Sequence, residues 1–338
     1  MHRSELTVDL GALRRNVRTL LRTLDGAALW VVVKADGYGH GSVDVSRAAL
    51  DAGAGALCVA TVDEALALRR GFPEARILCL GPVEATREAA EARIELAVGG
   101  GEIPEGVPVH LKLETGMGRY GLAELPAPTR DVVGLMSHLA TADSDPAFAR
   151  LQIARFDELV RPYRGDLECH VANSAAALRL PEARFDAARC GVAVYGLSPF
   201  MDDPAADGLE PVLQWRSHLA QVKLLQPGES TGYGRRFVAE RPTWIGLVPV
   251  GYGDGFRRNL TGTEIRVDAE PSKVVGTISM DSFAVALDRE LPAGTPVTLL
   301  GDGVLAEGHA MVAGTINYEL VTGIVSDPRR AQRTVVET

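Results

Sequence analysis

Lys34 follows three valines and precedes a turn rich in glycine, in the run W-V-V-V-K-A-D-G-Y-G-H-G from Trp30 to Gly41. Val31, Val32 and Val33 suit a buried parallel strand. Gly37, Gly39 and Gly41 permit a tight return of the chain. The lysine therefore stands where a strand ends, the edge that carries the chemistry in α/β folds. Desolvation at such a place lowers an amine's pKa and lets it act as a nucleophile. The plain alternative is a lysine snorkelling to water. Further polar residues recur in similar settings: Lys112 in L-K-L-E-T-G-M-G-R-Y-G, His138 in S-H-L-A-T-A-D, His170, Asn173 and Ser174 in H-V-A-N-S-A-A, and Arg189 with Gly191 in R-C-G-V-A-V-Y-G. A serine hydroxyl and amides exposed by glycine suit a phosphate dianion. Singly, each has a bland role: His138 as a core histidine, Lys112 paired with Glu114, Arg189 on a surface carboxylate, Asn173-Ser174 as a helix N-cap. Convergence on one rim is what favours a site.

The elements that must position these residues are short apolar runs at Trp30–Val33, Ala56–Ala60, Arg76–Leu80, Ile94–Val98, Val109–Leu113, Val133–Ser137, Leu167–Val171 and Phe185–Arg189. Amphipathic stretches such as Asp63–Arg70 and Pro146–Val160 lie between them. Eight strands with helices between predict a (β/α)8 barrel, the α/β class, over residues 1–212. In such a barrel functional residues belong at the C-terminal ends of strands, and Lys34, Lys112, His138, His170 and Arg189 fall there. From about Leu213 helical periodicity fades, and alternating segments appear at Thr243–Val250, Glu264–Val267, Lys273–Ile278, Phe283–Leu287 and Pro296–Leu300. Residues 213–338 read as a mostly β domain. Glu5–Leu10 alternates as well, so residues 1–10 are a candidate strand of that second domain.

The 338 residues carry a net charge of −9 and no basic block, which argues against a nucleic-acid partner. No apolar stretch is long enough to span a bilayer, and Met1 to Leu6 contain no apolar signal region. Cys58, Cys79, Cys169 and Cys190 form no C-x-x-C pair, so buried thiols in a reducing cytoplasm are expected, and no metal site. The second domain adds S-T-G-Y-G around Tyr233, P-V-G-Y-G-D-G around Tyr252, I-S-M-D at Ile278–Asp281 and I-N-Y-E at Ile316–Glu319.

These motifs, in this order from about Leu6 to Arg330, resemble alanine racemase, a fold-type III pyridoxal-phosphate enzyme. The resemblance implies that Lys34 holds pyridoxal 5'-phosphate as a Schiff base, and that Tyr38, Ser174 beside Asn173, Gly191, Val192 and Tyr318 bind its phosphate. It implies that Arg189 faces the pyridine nitrogen, and that Tyr233, from the partner subunit of a homodimer, is the second catalytic base with His138 behind it. It further matches Lys112 to a lysine often found carbamylated, Arg119 to the arginine it orients, and Met280, Asp281 and Tyr252 to substrate-pocket positions. Two bases on opposite faces suit a reaction that removes a proton from Cα and returns one to the other side. A phenol titrates near about pKa 10, so it needs cationic or hydrogen-bonding neighbours near neutral pH. Arg189 does not readily lose its proton, so the ring facing it should be a weaker electron sink. Cys190, Ser279 and Gly232 depart from the commonest residues of the family, and none removes a catalytic group. Rival readings are a racemase of serine, lysine or a broad set of amino acids, a non-catalytic pyridoxal-phosphate-binding barrel, and a fold-type III decarboxylase. That decarboxylase carries a cysteine in its C-terminal part, where this chain has none. A dinucleotide enzyme fits poorly, because the glycines read G-x-G-x-G rather than G-x-G-x-x-G.

Overall fold

The structure, a computed structural model, describes residues 2–338. The chain divides into two compact units. One is Leu13–Glu210; the other joins the N-terminal segment as far as Ala12 to Pro211–Thr338.

The first unit is a closed parallel barrel. With β1 at Glu5–Asp9, its strands are β2 Ala28–Val32, β3 Ala56–Val59, β4 Ile77–Cys79, β5 Glu95–Val98, β6 Val109–Lys112, β7 Val132–Met136, β8 Glu168–His170 and β9 Ala187–Cys190. Every expected strand is present, displaced by one or two residues. β2 pairs with β9 and closes the ring. All residues of β3, β6 and β9 are buried, because helices cover one face of the sheet and the barrel interior fills the other. The helix Pro146–Val160 starts where expected: Asp145 accepts hydrogen bonds from Ala147 and Phe148 amides, and Pro146 occupies the first turn.

Beyond Val33 the chain makes a left-handed turn. Ala35, Asp36 and Tyr38 have φ of 53°, 50° and 53°, and Gly37 has 61°. Side chains disfavour this region. The Glu64 carboxylate holds the turn, accepting from the Ala35 amide at 2.8 Å and from the Ala60 amide, just past β3, at 2.8 Å.

The second unit is a nine-stranded sheet and a two-stranded ribbon. Its strands are β10 Leu213–His218, β11 Gln221–Leu225, β12 Ser230–Thr231, β13 Phe237–Val238, β14 Thr243–Val248, β15 Glu264–Val267, β16 Glu270–Val275, β17 Phe283–Leu287, β18 Pro296–Leu300 and β19 Gln332–Val336. The sheet order is β11-β14-β17-β16-β15-β18-β10-β1-β19, so the N-terminal strand pairs with β10 and β19. Trp215, Phe256 and Phe283 form an aromatic core there, with Phe256 and Phe283 stacked at 4.4 Å between ring centroids.

Candidate active site

The C-terminal rim of the barrel collects Lys34, Tyr38, Lys112, His138, Ser174, Arg189, Gly191 and Val192. Lys34 is half-buried. Burial pushes its pKa down, and the Arg119 cation adds to this. Among the described residues no carboxylate pairs with its amine. Lys112, the last residue of β6, is buried, and desolvation with Arg119 and Arg189 nearby brings it down to about 8. The expected alternative, a pairing with Glu114, does not form. The Glu114 carboxylate instead accepts from the amides of Gly116, Met117 and Gly118 at 2.5, 2.6 and 2.9 Å, shaping the turn that presents the exposed Arg119.

Arg189 is fully enclosed, which lowers its pKa to about 10 and leaves it a cation at neutral pH. Among the described residues it holds no surface carboxylate. Nη2 donates to the Ser137 carbonyl at 2.6 Å and to His138 Nδ1 at 3.4 Å. Nη1 donates to His170 Nδ1 and, at 3.0 Å, to the His170 carbonyl. Burial beside this cation pushes His138 down to about 3, so the ring is neutral. Since Arg189 only donates, His138 Nδ1 accepts and its proton sits on Nε2.

Ser174 opens the helix Ser174–Arg179, and its Oγ accepts from the Gly191 amide at 3.1 Å and the Ala193 amide at 3.4 Å. A methyl group added at Gly191 would lie 2.5 Å from Tyr38 Oη, so only glycine lets the phenol approach this backbone. Burial drives the Tyr38 pKa up, keeping its hydroxyl a donor. The Ser174 hydroxyl and the protonated Tyr38 phenol thus both meet the chain at Gly191, forming one polar corner beside Val192. Asn173 fulfils its bland role: its side chain accepts from the Ala176 amide at 3.0 Å and caps the helix.

In the second unit Tyr233 is 72% exposed. Gly232 (φ 78°) leads into it, and Thr277 Oγ1 donates to the Tyr233 carbonyl at 2.7 Å. The Tyr252 and Met280 loops are tied together by backbone bonds from Tyr252 N to Ser279 O at 3.1 Å and from Gly253 N to Met280 O at 2.8 Å. Sequence reasoning missed the group behind them. Asp254, 1% exposed, accepts from Arg3 at 2.9 and 3.1 Å and from Arg330 at 2.8 Å, and Arg330 also reaches Asp281 at 2.8 Å. Its only sequence signal was an acid inside a glycine run. Tyr318 lies half-buried in the helix Asn317–Thr322.

Family models match both units: "Alanine racemase, N-terminal domain" over residues 8–199 and "Alanine racemase, C-terminal domain" over residues 212–334. The chain belongs to the alanine racemase family. Alanine racemase 1 of Bacillus subtilis is 40% identical, over 94% of this chain and 90% of that protein. The alanine racemase of Geobacillus stearothermophilus is 40% identical over 93% and 89%. Among solved structures, alanine racemase from the D-cycloserine producer Streptomyces lavendulae superposes with a TM-score of 0.92 at 36% identity, covering 100% of this chain and 98% of that one. The biosynthetic enzyme of Pseudomonas aeruginosa also gives 0.92, at 34% identity and full coverage of both chains. The family consists of pyridoxal-phosphate-dependent racemases, so this chain is an amino-acid isomerase that interconverts L- and D-alanine. The C-terminal domain match removes the lone-barrel alternative. Among the described residues no helix is long and apolar enough to cross a membrane.

Proposed function

We propose that the barrel rim holds pyridoxal 5'-phosphate on Lys34, and that Lys34 and Tyr233 act as the two bases, each site being completed by a second copy of the chain. The observation that carries this is the Lys34 amine, lowered in pKa and, among the described residues, in no ion pair with a carboxylate, on the same rim as the Tyr38–Ser174–Gly191 corner. The donor set fits the cofactor: an amine for its aldehyde, hydroxyls and amides for its phosphate, and a cation that only donates for its ring nitrogen. When bound, the cofactor supplies the electron-withdrawing ring that acidifies Cα–H.

Lys34 takes or returns the Cα proton on the D side, and Tyr233 does so on the L side. His138, with its proton on Nε2, is the donor available to the phenol oxygen. Arg189 keeps its proton and would face the ring nitrogen as a donor. Tyr38, Ser174, Gly191, Val192 and Tyr318 bind phosphate, and Asn173 orients Ser174 through the helix cap. Arg119 and the Met280 backbone hold the substrate carboxylate, and Tyr252 and Asp281 bound the pocket. Neutral Lys112 amine combines with carbon dioxide, forming an N–C bond and releasing a proton, and the resulting carbamate anion orients Arg119. Exposure of Tyr233, Tyr252 and Met280, at 72%, 43% and 54%, supports a homodimer in which these side chains meet a partner. Four buried free cysteines are in keeping with a cytoplasmic setting.

The test is the circular dichroism of L-alanine over time with purified protein and added cofactor, repeated with L-serine. Decay to zero for alanine supports the reading; a constant signal with cofactor bound refutes it. Lys34→Ala should lose the visible band near roughly 420 nm that the cofactor gains on its lysine. Tyr233→Phe should keep it and lose most turnover. Random exchange of the two variants makes half the dimers mixed, with one intact site in two, and so recovers about a quarter of normal activity. No recovery after confirmed exchange means that both bases come from one chain.

A further inference from the structure

A line of buried polar groups runs from Arg189 through the barrel interior, and the proton transfers proposed above do not use it. Arg189 Nη1 meets His170 Nδ1. His170 Nε2 lies 2.9 Å from His110 Nδ1, and His110 Nε2 lies 2.7 Å from Glu95 Oε2. Glu95 also accepts from Arg76 at 2.7 and 3.0 Å, and Arg76 reaches Glu168 at 2.6 Å. His110 and His170 are fully buried, and no histidine in the line meets water. Trp30 packs over both rings, at 5.6 Å and 4.5 Å between centroids, and the Arg76 guanidinium lies 4.5 Å from the Trp30 ring.

The two ends fix the direction of every hydrogen bond between them. A guanidinium only donates, and an ionised carboxylate only accepts. His170 Nδ1 must therefore accept, and its proton lies on Nε2. That proton is donated to His110 Nδ1, so the His110 proton also lies on Nε2 and is donated to Glu95. A neutral ring carries one such proton, and the line closes with none missing and none in excess. Reversing either ring would set an N–H against an N–H of Arg189, or a lone pair against the Glu95 oxygen. In a buried site either fault leaves a donor or an acceptor unpaired, and so is disfavoured.

We infer that Glu95, three residues away from Arg189 along this line, is a positioning residue for Arg189: it sets the tautomers of His110 and His170 so that His170 always presents an acceptor to the guanidinium. The inference rests on the reading of Arg189 as the group that faces the cofactor ring. Two further facts agree. Burial raises the Glu95 pKa, but the bonds from His110 and Arg76 outweigh it and hold the carboxyl ionised. Burial and the Arg189 cation push His170 well down, so it stays neutral and able to accept. Glu95 begins β5 at the opposite end of the strands from the catalytic rim, where catalytic chemistry would not be sought.

The test uses the holoenzyme labelled with 15N in histidine, with His110 and His170 assigned from His110→Asn and His170→Asn. Nitrogen shifts in the wild-type protein should show both rings neutral with the proton on Nε2. A proton on Nδ1 of either ring, or a charged ring near neutral pH, overturns the inference, and this readout needs no variant of Glu95. Glu95→Gln keeps the shape but offers a donor as well as an acceptor. It should give mixed His110 tautomers and lower kcat roughly tenfold, a size typical of outer partners of a functional group, with little change in the KM for alanine. Glu95→Asp, which restores an obligatory acceptor, should recover the single tautomer and part of the rate. Glu95→Gln with wild-type kcat and unchanged tautomers overturns the inference. Wild-type tautomers as stated, in a protein that leaves the dichroism of L-alanine unchanged, would instead refute the functional reading and spare the hydrogen-bond line.

Discussion

Removing the Glu64 carboxylate should release the turn that carries Lys34. Ala35, Asp36 and Tyr38 are all non-glycine residues with positive φ. A left-handed residue costs about 1–2 kcal/mol, so the turn stores about 3–6 kcal/mol relative to an ordinary bend. Glu64 makes two bonds, to Ala35 N and Ala60 N, both at 2.8 Å. A hydrogen bond to a charged group contributes about 1.5–3 kcal/mol, and two of them offset the strain. Glu64 is half-exposed, and water competes for its oxygens. A net loss of about 2–3 kcal/mol in Glu64→Ala is therefore expected. The chain has two units, so a global unfolding midpoint would blur the effect. Amide hydrogen exchange reads it locally: exchange at Ala35 and Ala60 should quicken about 30- to 150-fold. Cofactor affinity should weaken by up to the same factor, because binding must then order the turn. Unchanged protection at both amides, with a superimposable cofactor titration, would show that the turn holds itself and that the strain argument is wrong.

Gly191→Ala should be worse than its single methyl suggests. The new carbon would lie 2.5 Å from Tyr38 Oη, and overpacking of this kind costs about 1–3 kcal/mol. Absorbance titration should show at least about tenfold weaker cofactor binding; equal binding would place the phosphate elsewhere. Lys112 gives a pH prediction. Its pKa is about 8 in the fold against 10.5 for a free lysine, so between these values the unfolded chain binds more protons. With carbon dioxide excluded, stability should therefore rise with pH between about 8 and 10.5, by up to about 3 kcal/mol, and should carry the full penalty below that window. Lys112→Met should flatten the rise in thermal melting; a slope that survives the substitution belongs to another group. Labelled bicarbonate should give a carbamate carbon signal in wild-type protein and none in Lys112→Met.

The local pattern of residues decided much here. Valine runs bounded by glycine and amphipathic helices determine strand and helix type locally, so all eight barrel strands could be placed within a residue or two. The positions of Lys34, Lys112, His138 and Arg189 at strand ends follow from the same count. The distance along the chain says nothing, however, about which buried groups meet. The Glu95–His110–His170–Arg189 line joins four different strands, and it exists because barrel closure turns alternate residues of each strand inward. Glu64 reads as an ordinary acid in the first turn of a helix until β2 and β3 lie side by side and bring the Ala35 and Ala60 amides to its two oxygens. Glu114 read as a partner for Lys112, but three backbone amides of its own turn compete for the carboxylate at shorter entropic cost. Asp254 gains two arginines from opposite ends of the chain, Arg3 and Arg330, only because β1 and β19 are neighbours in one sheet. Residue type and period specify the elements; the partners of buried charge are set by packing, since a charge removed from water must find its counterpart wherever the fold has placed it.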